Sequence, residues 1–304
     1  MRPTLRQLEY AVTVQRLGSF SLAADVLGVS QPSLSAQIAT VEADLGIRLF
    51  DRSRSGVRLT AKGAEFVQRA QRILSEVENL RSVMTSSLPF AGRLRLGGLP
   101  SIGPYLLPQV VQRLHREQPD LRVLVREENT LDLDDGLSSG RFDAIISTPE
   151  DHPNTRQHRL FDEALWVAVA TDDTLAKQAA IRARDLNGRR MLTLDRGHRL
   201  ARIVFALAAS AGGVVSDDYE GTSLDSILLM AATGAGVAVI PELFAKRQAV
   251  HRSEVTVRPL EMTEASRTIA LMVADDRRED AGTTLLVKAL RDAALALEMP
   301  LART

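Results

Sequence analysis

The sequence predicts an α+β multidomain protein with an N-terminal winged helix-turn-helix, a long linker helix and a two-lobed α/β domain. Three observations predict this fold class. Two short helical patterns meet at a Gly-Val turn near residue 28, an amphipathic pattern of about 26 residues begins at Ala61, and short strand and helix patterns alternate from Arg93 onward. The 304 residues suffice for two or three compact units, and we expect their bounds to be 1–60, 61–90 and 91–304.

The composition excludes several classes of protein. The chain has no cysteine, so disulfides, thiolate metal sites and cysteine nucleophiles are impossible. The formal net charge is zero, but the first 90 residues carry 11 Lys or Arg against 8 Asp or Glu, and the remainder carries 27 against 30. No apolar run approaches the roughly 18 residues of a membrane span, and the start lacks a secretory apolar region. We therefore expect a cytoplasmic protein without a membrane partner.

The first 46 residues predict three helices. Apolar residues recur at helical spacing from Leu5 to Leu17, which predicts the first helix. The second helix is expected to begin on a capping Ser21 and to end at Gly28, a residue that suits a left-handed turn. Ser30 is expected to cap the third helix, with Pro32 tolerated in its first turn. The apolar seam between the second and third helices contains Ala24, Leu27, Val29, Leu34 and Ile38.

This pairing leaves short amide and hydroxyl side chains facing outward at the start of the third helix. Such groups suit base edges and phosphates in the major groove of double-stranded DNA. The candidate DNA-binding residues of these two helices are Ser21, Gln31, Pro32, Ser33, Ser35 and Gln37. The alternative for Gln37 is an ordinary surface role.

The segment from Arg48 to Thr60 has the pattern of a β-hairpin wing, with two apolar-bearing stretches around a Ser/Arg/Gly tip. Its arginines are placed to contact phosphates, which supplies affinity that depends on salt but not on base sequence. The candidates are Arg48, Arg52, Arg54 and Arg58. The alternative is a solvated basic loop.

Thr60 is the expected N-cap of the long helix, which runs from Ala61 to about Ser86 and would extend roughly 39 Å. Its apolar stripe suits pairing with a second copy of itself, so we expect a homodimer. The alternative is packing of the stripe against the same chain. The Pro89–Gly92 segment breaks the helix and predicts a hinge.

Beyond this hinge, strand patterns alternate with helix patterns, which predicts parallel sheets and right-handed crossovers. We expect a first lobe at about 91–164 and 267–304 and a second lobe at about 165–266. In this arrangement the last strand and helix return to the first lobe. Strands are expected at 93–99, 121–127, 142–147, 165–170, 191–194, 215–219, 237–240, 255–260 and 268–273.

The head, wing, long helix and tandem α/β body together resemble the LysR-type transcriptional regulators. The most specific parts are FSLAADVLGVSQPSLSAQIATVEADLGIRLFDR and the LTAKG at Leu59–Gly63. The resemblance covers essentially the whole chain. It implies a winged-helix DNA-binding domain, a dimerising linker helix and an effector domain similar to periplasmic solute-binding proteins. It also implies a homotetramer that responds to a small molecule between the lobes, with RNA polymerase as a candidate further partner.

Three segments narrow the resemblance to the peroxide-sensing OxyR branch. They are Ser101–Pro108, Leu194–His198, and Gly221–Leu224 with Gly234–Pro241. In that branch a reactive cysteine follows the Gly-His pair, and a resolving cysteine lies about two helical turns later. Here those positions hold Arg199 and Ala208. An arginine stays cationic and cannot be oxidised through a sulfenic acid, so the disulfide switch is excluded.

Candidate effector-binding residues follow from two sources. Parallel α/β sheets bind ligands at the carboxyl ends of their strands, and the resemblance places an effector between the lobes. The candidates are Ser101, Ile102, Thr130, His198, Arg199, Thr222 and Ser223. A cationic Arg199 and a titratable His198 favour an anionic effector. The alternatives are simple helix capping for the hydroxyl residues, and an ion pair of Arg199 with Asp195 or Asp225.

Signatures of other chemistry are absent from the sequence. The glycines near residue 98 do not form a dinucleotide fingerprint, and the five histidines lack metal-ligand spacing. We therefore expect no catalytic residues, no metal and no cofactor, and a protein that is not an enzyme. Two alternatives stay open: a constitutive regulator without a ligand, and a small-molecule-binding protein or enzyme with an incidental helical head.

Overall fold

A computed structural model describes residues 3–53, 56–85, 88–217, 221, 223–275 and 280–302 of the chain. Side chains at 52–53, 79 and 81–85 are outside this description. The chain divides into two compact units. One contains the chain up to residue 87 with the short segment 136–141, and the other contains 88–135 and 142–304.

Helices and strands of the described residues follow the predicted order closely. The helices are α1 (Leu5–Leu17), α2 (Phe20–Leu27), α3 (Gln31–Leu45), α4 (Ala61–Thr85), α5 (Gly103–Glu117), α6 (Thr130–Ser138), α7 (Arg199–Ala211), α8 (Leu224–Ala232), α9 (Glu242–Arg247) and α10 (Ala281–Ala296). The strands are β1 (Phe50–Ser53), β2 (Gly56–Leu59), β3 (Arg93–Gly98), β4 (Arg122–Glu127), β5 (Ala144–Ser147), β6 (Thr155–Ala170), β7 (Ile181–Arg182), β8 (Arg190–Leu192), β9 (Val214–Val215), β10 (Val237–Pro241), β11 (Val255–Glu261) and β12 (Ser266–Ala274).

Side-chain caps fix where the helices of the head begin. The amide of Ser33 donates to the hydroxyl of Ser30, which caps α3 as predicted. The expected cap of α2 is wrong: Ser19 accepts from the amide of Leu22, and Ser21 lies inside the first turn. The helix begins two residues earlier than expected because Ser19 has the extended backbone of an N-cap. Gly28 takes the predicted left-handed conformation at the end of α2.

The helices α1, α2 and α3 and the wing of β1 and β2, which together we call the head, pack around one apolar core. Leu34 and Ile38 are fully buried, as the predicted seam requires, and Ala24 allows close approach of α2 and α3. The rings of Phe20 and Phe50 meet edge to face with centroids 5.7 Å apart, which fixes the wing against α2.

The wing is also tied to α3. The carboxylate of Glu42 accepts from the amides of Leu49 (2.7 Å) and Phe50 (3.2 Å) at the start of β1. The positions of α3 and the wing are therefore fixed relative to each other by both packing and hydrogen bonds.

Helix α4 approaches the wing most closely at Gly63. Thr60 caps this helix by accepting from the amide of Gly63 at 2.9 Å. A Cβ atom at Gly63 would lie 1.9 Å from the carbonyl oxygen of Leu49, a distance that real contacts do not show. Only glycine fits between these two backbones.

Gly63→Ala is therefore expected to lower the free energy of unfolding of the head by about 1–3 kcal/mol or more, the range for overpacked sites. Urea unfolding followed by circular dichroism measures this loss. The matched control is Ala64→Ser at the neighbouring exposed position, which should leave the unfolding midpoint unchanged. A midpoint for Gly63→Ala equal to that of the parent protein would contradict the close approach.

In the second unit, strands β3 to β12 form a connected network of ladders. The strand order is β4-β3-β5-β12-β6-β10-β8-β9, with β11 joining β6 to β7. We call the part around β3, β4, β5 and β12 lobe I, and the part around β8 to β11 lobe II. The last strand and helix return to lobe I as predicted, because β12 lies between β5 and β6 and α10 packs on α5.

The expectation of parallel sheets is correct only in part. Strand β3 is parallel to β4 and β5, and β10 is parallel to β8, but β12 runs antiparallel to β5 and β6. Strand β6 begins at Thr155, ten residues before the predicted strand, and is antiparallel to β10 and β11 as well. The reason is that β6 and β12 connect the lobes directly, without a helical crossover.

No helix in the described part of the chain is both long enough and apolar enough to cross a membrane.

Candidate nucleic-acid interface and ligand cavity

Helix α3 presents a polar surface along the residues predicted to contact DNA. Gln31, Pro32, Ser33 and Gln37 are exposed, and Ser35 is half-buried. The opposite face of the helix carries the buried Leu34 and Ile38. The side chains with base-reading chemistry therefore share the outward face of a helix whose other face is fixed in the core.

Two of the candidate residues have distinct local settings. The side-chain Nε2 of Gln7 on α1 donates to Oε1 of Gln37 at 3.0 Å, which orients Gln37 on the surface of α3. Ser21 is exposed in the first turn of α2. Gln7 was not predicted, because nothing in the sequence shows that α1 reaches this part of α3.

The wing forms as predicted from β1 and β2, with Asp51 opposite Arg58 in an antiparallel ladder. Arg48 and Arg58 are exposed, and the carbonyl of Arg48 accepts from the hydroxyl of Thr60 at 2.6 Å. The backbone of Arg52 belongs to β1, but its side chain is outside the description, and Arg54 lies outside the described residues altogether.

A cavity of about 210 Å³ lies between the two lobes. Lobe I supplies Leu99, Pro100, Ser101, Pro104, Tyr105 and Arg267, and lobe II supplies Leu194, His198, Arg199, Leu200, Ser223, Leu224, Asp225 and Phe244. This volume is below the usual range of pockets for drug-sized ligands, so the cavity suits a small molecule.

Four of the predicted effector-binding residues line this cavity: Ser101, His198, Arg199 and Ser223. Ile102 is fully buried at the start of α5, and Thr130 is buried with a hydroxyl oxygen that has no hydrogen-bond partner. Neither is among the lining residues. Thr222 lies outside the described residues. Ser223 lines the cavity and also caps α8 by accepting from the amide of Ser226.

A buried ion pair at the inner end of the cavity was not predicted. Arg267 on β12 lies opposite Glu163 on β6, and its Nη2 is 2.7 Å from the carboxylate of Glu163. Nη2 of Arg267 also donates to the hydroxyl of Ser101 at 2.9 Å, and Glu163 accepts from the amide of Leu243 on α9 at 2.9 Å. Burial raises the pKa of Glu163, while Arg267 acts in the opposite direction.

This pair connects lobe I, β6, β12 and the start of α9 through one set of hydrogen bonds. Its only trace in the sequence is a charged residue just before each of two apolar runs, 165–170 and 268–273.

Arg199 pairs with Asp151, not with Asp195 or Asp225 as considered from the sequence. Nη1 of Arg199 donates to Oδ1 of Asp151 at 3.3 Å, and Nη2 of Arg202 donates to the same oxygen at 2.6 Å. Asp195 instead lies 3.5 Å from Nε2 of His198. The two arginines belong to α7 of lobe II, while Asp151 belongs to lobe I.

Most polar groups around the cavity are hydrogen-bond donors. Burial raises the pKa of Tyr105 to about 12, with a further contribution from Asp225, so its hydroxyl keeps its proton at neutral pH. Asp225 is the one carboxylate among the described lining residues, and it accepts from Arg252 at 3.0 Å. The cavity therefore suits a ligand rich in acceptors.

Two family models match the chain. Residues 5–64 match the bacterial regulatory helix-turn-helix protein of the lysR family, and residues 89–295 match the LysR substrate binding domain. The chain belongs to the LysR family. It is a LysR-type DNA-binding transcriptional regulator. The helix-turn-helix model covers the head, and the substrate-binding model covers most of the two-lobed unit.

Among LysR regulators, the chain is similar to peroxide-responsive activators. It is 35% identical over 270 residues to a hydrogen peroxide-inducible genes activator of Haemophilus influenzae, covering 88% of this chain and 89% of that one. It is 32% identical to the DNA-binding transcriptional dual regulator OxyR of Escherichia coli K12, covering 88% of each. A cysteine-to-aspartate variant of full-length OxyR from Pseudomonas aeruginosa superposes with a TM-score of 0.72 at 30% identity, covering 95% and 98%.

The expected resemblance to the OxyR branch is thus confirmed, as is the combination of an N-terminal helix-turn-helix with a two-lobed α/β effector domain. The chain differs in chemistry, because it contains no cysteine. At the position where the branch resemblance places the reactive cysteine, the LysR fold here carries an arginine bonded to the opposite lobe.

Proposed function

We propose that this LysR regulator reads double-stranded DNA through the exposed face of α3 and responds to a small molecule in the interlobe cavity. The observation that carries the first part is the outward face of α3, where Gln31 and Ser33 are exposed beside a fixed hydrophobic seam. Glutamine pairs in a bidentate manner with adenine in the major groove, and serine contacts bases or phosphates. Ser21, Pro32, Ser35 and Gln37 complete this surface.

The wing supplies the phosphate contacts in this proposal. Arg48 and Arg58 are exposed on the segment that packs against α2, and Arg52 and Arg54 are the further candidates from the sequence. Such contacts supply affinity and register, while the bases supply sequence specificity. Since its partner is genomic DNA, we place the protein in the cytoplasm.

We further propose that two copies pair through α4. Ile73 and Leu80 lie seven residues apart on this helix and are 47% and 61% exposed, an apolar pattern that a second copy of the helix would cover. A dimer presents two heads to two half-sites, which multiplies the contacts of one head. A tetramer of two such dimers, with RNA polymerase as a further partner, is the assembly that we infer from the family.

The ligand part of the proposal rests on the cavity between the lobes. Rotation of two lobes about a bound molecule is a common way to convert binding into a change of shape, and here it would move paired heads on DNA. The relatives are named for hydrogen peroxide, but a chain without cysteine needs a different signal. We therefore propose an OxyR-like regulator whose signal is a small ligand and not the formation of a disulfide.

A DNase footprint on the DNA upstream of the protein's own gene tests the proposal. We expect a protected region with the same length and position before and after treatment with hydrogen peroxide, because no thiol can be oxidised. A cysteine-containing OxyR on its own promoter is the positive control for the peroxide treatment. A footprint that shifts or shortens with peroxide would contradict the thiol-free signal, and no footprint would contradict DNA binding at this site.

A further inference from the structure

The two lobes are joined by an ion-pair cluster of Asp151, Arg199 and Arg202, which we call the interlobe clasp. The side chain of Asp151 is only 2% exposed, and both of its oxygens are occupied. Oδ1 accepts from the two arginines of α7, and Oδ2 accepts from the hydroxyl of Thr148 at 2.5 Å. Two guanidinium groups thus meet one carboxylate, and the clasp carries one net positive charge.

Arg199 belongs to the clasp and to the cavity at the same time. Its Nη1 is bonded to Asp151, while its Nε is buried and has no hydrogen-bond partner among the described residues. A buried donor of a charged group without an acceptor is costly, and native structures seldom leave one unpaired. The Arg199 side chain as a whole is 27% exposed and lines the cavity, so a ligand there can supply an acceptor to the same guanidinium group.

The chemistry of the missing acceptor follows from the guanidinium group. A planar carboxylate matches the fork of N–H groups of an arginine and forms charge-assisted hydrogen bonds with it. Ser101, Tyr105 and His198 add further polar groups on the cavity wall, and Asp225 is already paired with Arg252. A carboxylate would also balance the net charge of the clasp.

We propose that Arg199 is a charge-operated switch: a small carboxylate in the cavity accepts from its guanidinium group and stabilises the ion pair of the same group with Asp151 of the other lobe. This inference rests on the proposed function, since it takes the interlobe cavity as the effector site. The proposal gives a role to Arg199, which occupies the position where the resemblance places a reactive cysteine. The signal is then carried by charge complementarity and not by oxidation.

The first test is the melting temperature of the full-length protein with sodium acetate and sodium benzoate, each compared at equal ionic strength with its uncharged counterpart, acetamide or benzamide. We expect at least one carboxylate to raise the melting temperature and neither amide to do so. Arg199→Gln should weaken the binding of that carboxylate about tenfold or more, the loss expected for a charged hydrogen bond. The matched control is Arg196→Gln, which removes an exposed positive charge from the same segment without touching the clasp.

The second test measures the lobes directly. Because the chain has no cysteine, His115→Cys on α5 and Ala209→Cys on α7 provide two unique and exposed sites for spin labels. We expect the effective carboxylate to narrow the distance distribution between the labels. Asp151→Asn should broaden that distribution and abolish the effect of the carboxylate, while a cooperative melting transition verifies that this variant is folded.

The possible failures are distinguishable. An equal response to the amides, or a full carboxylate response in Arg199→Gln, would overturn the role of Arg199 and leave the cavity as a ligand site. The absence of any carboxylate response in the parent protein would overturn the inference. Neither result would change the footprint, which tests DNA binding and the thiol-free signal separately.

Discussion

Replacement of Arg267 by methionine is expected to lower the free energy of unfolding by about 3–5 kcal/mol, the usual result of removing one partner of a buried ion pair. Glu163 is fully buried, and Arg267 is its only cationic contact among the described ion pairs. The variant leaves this carboxylate without compensation while it still accepts from the amide of Leu243. Urea unfolding followed by the fluorescence of Trp166, the single tryptophan of the chain, measures the loss.

The pH dependence of this loss has a definite sign. Burial already raises the pKa of Glu163, and removal of Arg267 raises it further, so the folded variant binds a proton more readily than the unfolded chain. The variant should therefore recover stability as the pH falls and lose it as the pH rises.

The double replacement Arg267→Met with Glu163→Leu is the matched control. Since well-packed apolar residues can replace a buried ion pair at little cost, it should be more stable than Arg267→Met alone. An unchanged midpoint for Arg267→Met would show that the pair does not stabilise the fold.

The double variant Gln31→Ala, Ser33→Ala is expected to prefer its specific DNA over a scrambled duplex about tenfold less, or lose still more of this preference. The reason is that each bidentate base contact contributes about 1–3 kcal/mol of discrimination. Both side chains are exposed, so the fold of the head should remain intact. A gel-shift titration with the footprinted DNA and a scrambled duplex of equal length measures specific and nonspecific binding together.

Arg58→Ala is the matched contrast for this experiment. A phosphate contact carries no sequence information, so this variant should bind both duplexes less tightly. The slope of the logarithm of the binding constant against the logarithm of the salt concentration should become less steep by about one. Undiminished discrimination by the Gln31→Ala, Ser33→Ala variant would show that another surface reads the bases.

The head could be predicted closely because its signals are local. Helix caps, left-handed glycines and the spacing of Leu34 and Ile38 all act within a few residues, and the structure confirms them except for the cap of α2. The predicted capping serine of α2 is two positions too late, because Ser19 and Ser21 are both residues that suit an N-cap. Only the backbone conformation distinguishes them, since Ser19 is extended and Ser21 is already helical. Local chemistry thus determines which elements form and leaves their ends uncertain by a residue or two.

The cavity could be predicted only in part, because its decisive contacts join distant segments. Ser101 and Arg199 were identified from strand ends and from the family resemblance, but Asp151, Glu163 and Arg267 were not. Arg267 and Glu163 are 104 residues apart in the chain and become neighbours through the register of β12 on β6. No spacing rule in a single sequence reveals a register between strands so far apart.

The length of β6 has a mechanical consequence for any signal that passes through this domain. Its first part, up to Ala164, is paired with β12, and the part from Leu165 is paired with β10 and β11. The lobes therefore share the continuous strand β6 and cannot separate as independent bodies. Any reorientation of the lobes must be taken up where the chain crosses between them, in β6 near Ala164 and in the segment 262–265 between β11 and β12. A twisting strand yields small angles and returns to its starting shape, which suits a reversible and graded response to a bound molecule.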